Sequence, residues 1–216
     1  MKLSKRLETI ASKINDRDRV LDVGCDHGYL DIYLALNKKN DLIIASDISK
    51  EVIKATINNI NKYHVENKIK VYCTDGTNNI IENYNTIIIA GMGSYTILNI
   101  LKETRTVDKL IICSNNNWEK VRKSISLLGY YLDSEDLVYE SNKLYSVMVF
   151  KKGTKKLTKK DILIGKYNPK NRELYNIYLK EIFKIYYMVP ITKFSKKILL
   201  FKKIKYLKSY LRKENR

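Results

Sequence analysis

The stretch Val20-Leu21-Asp22-Val23-Gly24-Cys25-Asp26-His27-Gly28-Tyr29-Leu30 decides how the rest of the chain is read. A short β-rich block runs into a turn with glycines at 24 and 28, and a helical stretch follows. Those glycines let the backbone turn tightly and approach a ligand, and the helix N-terminus adds a positive dipole. A dinucleotide fingerprint would read G-x-G-x-x-G, whereas here Cys25 and Asp26 follow Gly24. Asp22 and Asp26 would repel a pyrophosphate. They suit a ligand that carries an ammonium, a sulfonium and a ribose.

Working outward, short Val/Ile/Leu blocks recur at Arg19–Gly24, Leu42–Asp47, Lys68–Cys73, Asn85–Ala90 and Lys109–Cys113. This is the pattern of parallel strands buried on both faces. Helical stretches are predicted near 28–37, 50–63, 93–103 and 117–128. Ser49 is placed to cap the second, with Val52, Ile53, Thr56, Ile57 and Ile60 as its buried stripe. Alternating βαβα means a doubly wound α/β sheet. Residues 129–132 and 143–150 then follow with no helix between them, so they pair antiparallel at the sheet edge. A parallel core closed by such a hairpin is the Rossmann-like sheet of class I methyltransferases, and NAD-binding domains usually end otherwise.

The strand ends supply the candidate site. Asp47 ends the second strand, where a carboxylate can accept both hydroxyls of a ribose. Asp75-Gly76 follows the third, where Asp75 can accept from an adenine amino group, although Asp-Gly is also a common turn pair. All three acids are expected to meet at the carboxyl edge of the sheet. The fourth strand ends in Ala90-Gly91-Met92-Gly93-Ser94, whose small residues leave room for a flat base. It lacks the Asp/Asn-Pro-Pro-aromatic motif common in methyltransferases of exocyclic amines. Together these features point to S-adenosylmethionine as cofactor.

The charge is unevenly distributed. Residues 1–150 hold 20 Lys and Arg against 19 Asp and Glu, a net of +1, while residues 151–216 hold 21 against 4, a net of +17. A genome-wide composition bias would spread through both parts. The surplus therefore belongs to one module, and a polyanion such as RNA is the expected partner. Leu174, Ile177, Tyr178, Ile182, Ile185, Tyr186 and Val189 recur at helical spacing, and Leu200, Ile204, Leu207 and Leu211 follow a 4-3-4 step. Pro190 separates the two series, so a basic, coiled-coil-like helical hairpin is expected.

Cys25, Cys73 and Cys113 form no C-x-x-C pair and are expected to be reduced thiols packed near strand ends. With only two histidines, His27 and His64, no metal site is expected. His64 is expected at the surface. No apolar run is long enough to span a membrane, and the start Met1-Lys2-Leu3-Ser4-Lys5-Arg6 leads into a charged helix, so a cytoplasmic protein without membrane contact is expected.

Leu3-Ser4-Lys5-Arg6-Leu7, the Asp22–Leu30 loop with its Asp26-His27 pair, Asp75-Gly76 and Ala90-Gly91-Met92-Gly93 together resemble the bacterial tRNA (adenine(22)-N(1))-methyltransferases. The resemblance continues through Leu110-Ile111-Ile112, Gly129-Tyr130 and Lys143-Leu144-Tyr145, and covers about residues 3–150. It implies a methyltransferase domain over 1–152, a tRNA-binding helical domain over 153–216 and methylation of N1 of adenine 22 in the D-arm region of tRNA. Carried over by position, Asp22, Gly24, Cys25, Asp26, His27, Gly28, Asp47, Ile48, Asp75, Gly76, Ala90, Gly91 and Met92 would contact or frame the cofactor. Asp26 would be the active-site acid, and Arg6, Tyr29 and Asn115 would lie near the substrate. Where the family tends to show Gln-Pro-Asn, this chain has Cys113-Ser114-Asn115. The competing readings are a methyltransferase of another tRNA or rRNA base, a non-catalytic RNA-binding protein and an NAD-linked oxidoreductase. A monomer is favoured over an oligomer, and the seam of the helical tail is open to pairing within the chain or between chains.

Overall fold

The computed structural model describes residues 1–212, so the last four residues of the expected helical domain lie outside the described residues. Five parallel strands form the centre: β1 (Arg19–Val23), β2 (Leu42–Asp47), β3 (Ile69–Cys73), β4 (Thr86–Ala90) and β5 (Lys109–Cys113). Their order in the sheet is β3-β2-β1-β4-β5. The chain winds one way from β1 and the other way from β4, which opens a crevice at the carboxyl ends of these two neighbours.

Side-chain alternation builds a core on each face. Val20, Ile88 and Ile111 point into one cluster, with Ile10 of α1 (Lys5–Ala11), Leu34 of α2 (Tyr29–Asn37) and Ile53 of α3 (Lys50–Lys62). Leu21, Ile87, Ile89 and Ile112 point into the other, with Ile97 of α4 (Ser94–Glu103) and Val121 of α5 (Trp118–Leu127). Ser49 caps α3 as expected, its hydroxyl accepting from the Val52 N–H at 3.3 Å. Of the predicted α3 stripe, Ile53, Thr56 and Ile60 are buried, whereas Ile57 is exposed because it falls at the solvent margin of that face.

The sheet closes with β6 (Tyr130–Glu140) and β7 (Lys143–Lys152), β7 running antiparallel between β5 and β6. β6 is much longer than the expected 129–132. A bulge between Leu132 and Ser134 lets it continue through residues that read as polar. Glu135 is buried there because Arg122 of α5 neutralises it, Arg122 Nε donating to Oε2 at 3.0 Å. Ser141 and Asn142, both at positive φ (49° and 58°), make the tight turn to β7.

Past β7, a short helix α6 (Lys159–Ile164) was not anticipated; a capping box between Thr158 and Asp161 starts it. A 3-10 turn at Pro169–Asn171 leads into α7 (Arg172–Met188), which packs against α8 (Phe194–Leu211). Tyr178, Ile182 and Val189 meet Leu200, Ile204 and Leu207 along the expected seam, with Pro190 in the connection. Ile185 departs from the predicted stripe and is exposed, while Tyr175, outside that stripe, is fully buried beside Tyr210. Leu137 of β6 and Leu144 of β7 belong to this same cluster, so the helical hairpin is seated on the sheet's last two strands.

Candidate functional site

The site grows from the end of β1. The Gly24 and Cys25 N–H groups both donate to the Ser46 carbonyl, at 2.8 and 3.0 Å, which folds the loop back over β2. Gly24 holds φ +78°, a left-handed conformation that strains any L side chain, and the movable Met92 methyl occupies the place a Cβ would take. Behind the loop, the Thr56 hydroxyl donates to the Asp26 carbonyl at 2.7 Å and the Asn59 amide to the His27 carbonyl at 3.0 Å. Helix α3 thus braces the turn that carries Asp26.

These elements enclose a cavity of about 490 Å³ lined by Arg6, Asp22, Gly24, Cys25, Asp26, His27, Tyr29, Asp47, Ala90, Gly91, Met92 and Asn115, together with Leu7, Leu30, Lys143 and Tyr145. Asp22 is 4% exposed, and burial, with Asp47 nearby, pushes its carboxyl up to about 7. Two acids facing one cavity favour a ligand that brings positive charge. Asp47 accepts from the Ser49 N–H at 2.9 Å through one oxygen, leaving its other oxygen available to hydroxyl donors. Asp26 projects outward, its side chain 78% exposed and 3.7 Å from His27 Nε2.

The opposite wall is set by the ends of β4 and β5. Asn115 donates its backbone N–H to the Met92 carbonyl at 2.9 Å and its side-chain amide to the Gly91 carbonyl at 2.5 Å. Ser114, where the family pattern is broken, is buried; its hydroxyl donates to the Asn116 carbonyl at 2.8 Å, and Asn116 in turn accepts from the Ser94 N–H at 3.0 Å. Ser114 and Asn116 thereby fix the start of α4 beside the cavity.

Asp75 and Gly76 do not join Asp22 and Asp47 in that cavity; they line a second one of about 420 Å³ with Thr77, Asn78, Tyr95 and Asn99. The Thr74 N–H donates to the Asp47 carbonyl at 2.9 Å, which ties the turn carrying Asp75 to the end of β2. Gly28 frames the loop from below: it is buried at φ +70°, and a Cβ would meet Thr56 Cγ2 at 2.7 Å. Ile48 is 68% exposed and lines neither cavity. Of the cysteines, Cys25 and Cys113 are buried, and burial holds both thiols well above their usual range, Cys113 at about 11. Cys73 is exposed, contrary to the expected packing, because the cluster beneath β3 does not reach it.

Sequence reasoning assigns no site role to four side chains that the structure brings here. Lys143 and Tyr145 reach the cavity because β7 is antiparallel, which brings its first residues to the carboxyl edge of β5. Tyr145 lies between two cations, with the Arg6 guanidinium 5.1 Å and the Lys143 ammonium 5.0 Å from its ring centre. Glu140 holds Arg6, accepting from its backbone N–H at 3.3 Å and lying 3.8 Å from Nε. The fourth is Asp31 of α2, fully buried, with neither carboxylate oxygen hydrogen-bonded. Burial and then repulsion from Asp22 raise its carboxyl well above the usual range. No group of three or more His, Cys, Asp or Glu that could hold a metal occurs among the described residues.

The sequence pattern of the methyltransferase domain family matches residues 3–148. A Mycoplasma genitalium protein named for tRNA methyltransferase activity is 33% identical over 171 residues, which cover 76% of this chain and 77% of that one. The Bacillus subtilis tRNA (adenine(22)-N(1))-methyltransferase is 32% identical over 158 residues, 71% of this chain and 66% of that one. The chain belongs to the tRNA (adenine(22)-N(1))-methyltransferase family. Likeness to the family extends past the sheet. The structure of M. capricolum TrmK in complex with S-adenosyl-homocysteine superposes with a TM-score of 0.81 at 26% identity, covering 98% of both chains. The basic helical hairpin, where sequence motifs are few, is therefore part of the family's shared architecture.

Proposed function

We propose that this chain transfers a methyl group from S-adenosylmethionine to N1 of adenine 22 in the D-arm region of tRNA, giving 1-methyladenosine. The carrying observation is the buried, proton-hungry Asp22 beside Asp47 at the switch point of the sheet. That pair fits the cofactor: Asp22 suits its ammonium and the open oxygen of Asp47 suits the ribose hydroxyls. We assign the adenine end to the second cavity, against Asp75. When bound, S-adenosylmethionine supplies an electrophilic methyl on a sulfonium.

Adenine N1 has a free lone pair at neutral pH, so the chain's residues need to position it rather than deprotonate it. Gly91, at φ +81° and without a side chain, leaves space for a flat base, and Asn115 holds that turn in place. Arg6, Tyr29 and Tyr145 ring the same opening. Asp26, exposed at the cavity and held on a braced loop, is placed to stabilise the positive charge that methylation puts on the ring, or to accept from the adenine amino group as it acidifies. A base stacked in tRNA must be exposed before N1 is reachable. We assign the grip this requires to residues 153–216, with catalysis carried by residues 1–152, in a monomer acting in the cytoplasm. No helix among the described residues is long and apolar enough to cross a membrane.

The test is to incubate the protein with S-adenosylmethionine and unmodified tRNA, then digest to nucleosides and map the product. 1-Methyladenosine at position 22 supports the reading. A different methylated base, or none, replaces it with one of the other RNA readings.

A further inference from the structure

The turn of the α7–α8 hairpin carries an exposed apolar surface that the catalytic reading leaves unused. Tyr187, Met188, Ile191, Phe194 and Phe201 are 76%, 80%, 79%, 68% and 58% exposed. Phe194, Ile198 and Phe201 fall at i, i+4 and i+7 on α8, on the side away from the buried Leu200–Ile204–Leu207 seam. The patch exceeds the singly scattered apolar residues of an ordinary surface. It lies well beyond the sheet: Tyr178 of α7 packs on Trp118, and Met188 is ten residues farther, about 15 Å along the helix.

Its electrostatic setting selects the occupant. Residues 182–212 contain nine Lys and Arg and no Asp or Glu. Lys184, Lys193, Lys196 and Lys202 are exposed among the apolar side chains. A second copy would bring the same cations against this face, which like-charge contact disfavours. Double-helical RNA would satisfy the lysines but keeps its bases stacked and offers aromatic side chains no ring face. Unpaired nucleotides meet both demands, presenting phosphates to lysines and bare bases to Tyr and Phe.

We infer that the tip of the helical hairpin binds unpaired loop nucleotides of the tRNA, stacking bases on its exposed aromatic residues while its lysines hold the backbone. This rests on the reading of tRNA as substrate. It assigns the tip a second contact, on nucleotides other than the one methylated.

The test uses the full chain with two sets of substitutions at exposed positions, Tyr187→Ser/Phe194→Ser/Phe201→Ser and Lys193→Gln/Lys196→Gln/Lys202→Gln. Both are checked for helicity and for unchanged S-adenosyl-homocysteine binding. Affinity is measured from 50 to 300 mM salt for whole tRNA and for a blunt RNA duplex. The aromatic set is expected to weaken tRNA binding about tenfold or more with the salt slope unchanged, and to leave duplex binding unaltered. The lysine set is expected to flatten the salt slope on both RNAs. The inference is overturned if the aromatic set binds tRNA like the parent, or loses duplex and tRNA affinity equally. It is also overturned if that set only abolishes a dimer, or only abolishes binding to phosphatidylglycerol vesicles. Formation of 1-methyladenosine by the parent at saturating tRNA is scored separately, so failure of the proposed reaction and failure of the tip contact give different results.

Discussion

Arg122 and Glu135 form an ion pair with 0% and 3% of their side chains exposed, linking α5 to the centre of β6. The pair is also where the helical region attaches. Arg122 Nη1 donates to the Ile162 carbonyl at 3.0 Å, and the Lys166 N–H donates to Glu135 at 3.2 Å. Gly165, at φ +84°, passes so close that a Cβ would strike the carboxylate. One buried charge pair therefore organises sheet, helix and hairpin base together.

Breaking that pair from one side should be costly. Arg122→Met leaves Glu135 buried without its partner and is expected to lower unfolding free energy by about 3–5 kcal/mol. Arg122→Met/Glu135→Leu should recover part of the loss. Urea denaturation of the three proteins decides this; a loss under 1 kcal/mol for the single variant would mean that the pair is unimportant.

The buried acids give stability a defined pH dependence. Asp22 rises from 3.8 in the unfolded chain to about 7 when folded, and Asp31 is also raised. Between those values the native state binds more protons than the unfolded state, so stability falls as pH climbs through about 7. Thermal melts of the cofactor-free protein should move to lower temperature between pH 5 and pH 8. The double variant Asp22→Asn/Asp31→Asn should flatten that trend, and an unchanged slope would contradict it.

Cofactor binding should show the opposite sign. A cationic amino group favours ionised Asp22, so affinity for S-adenosyl-homocysteine is expected to rise as pH increases through about 7, with a proton released on binding. Asp22→Asn should bind at least about tenfold more weakly and lose the pH dependence. Calorimetry in two buffers of different ionisation enthalpy measures both quantities.

Gly24→Ala forces an L side chain to φ +78° and drives its methyl into Met92 Cε. We expect about 1–2 kcal/mol of lost stability and a matching loss of cofactor affinity. Adding Met92→Ala removes the collision but not the backbone strain, so rescue should be partial. Full rescue, seen in melting and ligand titration, would place the whole cost in the contact.

Glu140→Gln weakens the anchor of Arg6 at the cavity mouth without touching Asp22 or Asp47. It should raise KM for tRNA or lower kcat severalfold while leaving S-adenosyl-homocysteine affinity unchanged. Equal losses in cofactor and tRNA binding would show that Glu140 supports the fold rather than the mouth.

The five parallel strands were legible because a strand buried on both faces has no reason to interrupt its apolar run. The Gly24–Gly28 turn was legible because few residue types tolerate its dihedrals. The sequence pattern of β6 stops at Leu132, since Glu135 reads as solvated unless Arg122, 13 residues earlier, lies against it. Lys143 and Tyr145 stand in a recognisable motif, but only the reversed direction of β7 brings them to the cavity and gives them a place in the site. Asp75 read correctly as a strand-end acid, but its distance from Asp22 depends on how β3 and its turn splay, which local sequence does not encode.

β7 serves two neighbours at once. Lys143 and Tyr145 look into the reaction chamber, and Leu144 between them is packed among the side chains of the helical hairpin. A hinge or linker between modules would let each be exchanged freely, but here a single rigid strand is shared property. A chimera that borrows another relative's hairpin at the 152/153 junction would mismatch Leu137, Leu144, Glu135 and Arg122. Transplanting the hairpin intact requires moving α5, β6 and β7 with it, and in evolution those segments are expected to change in concert.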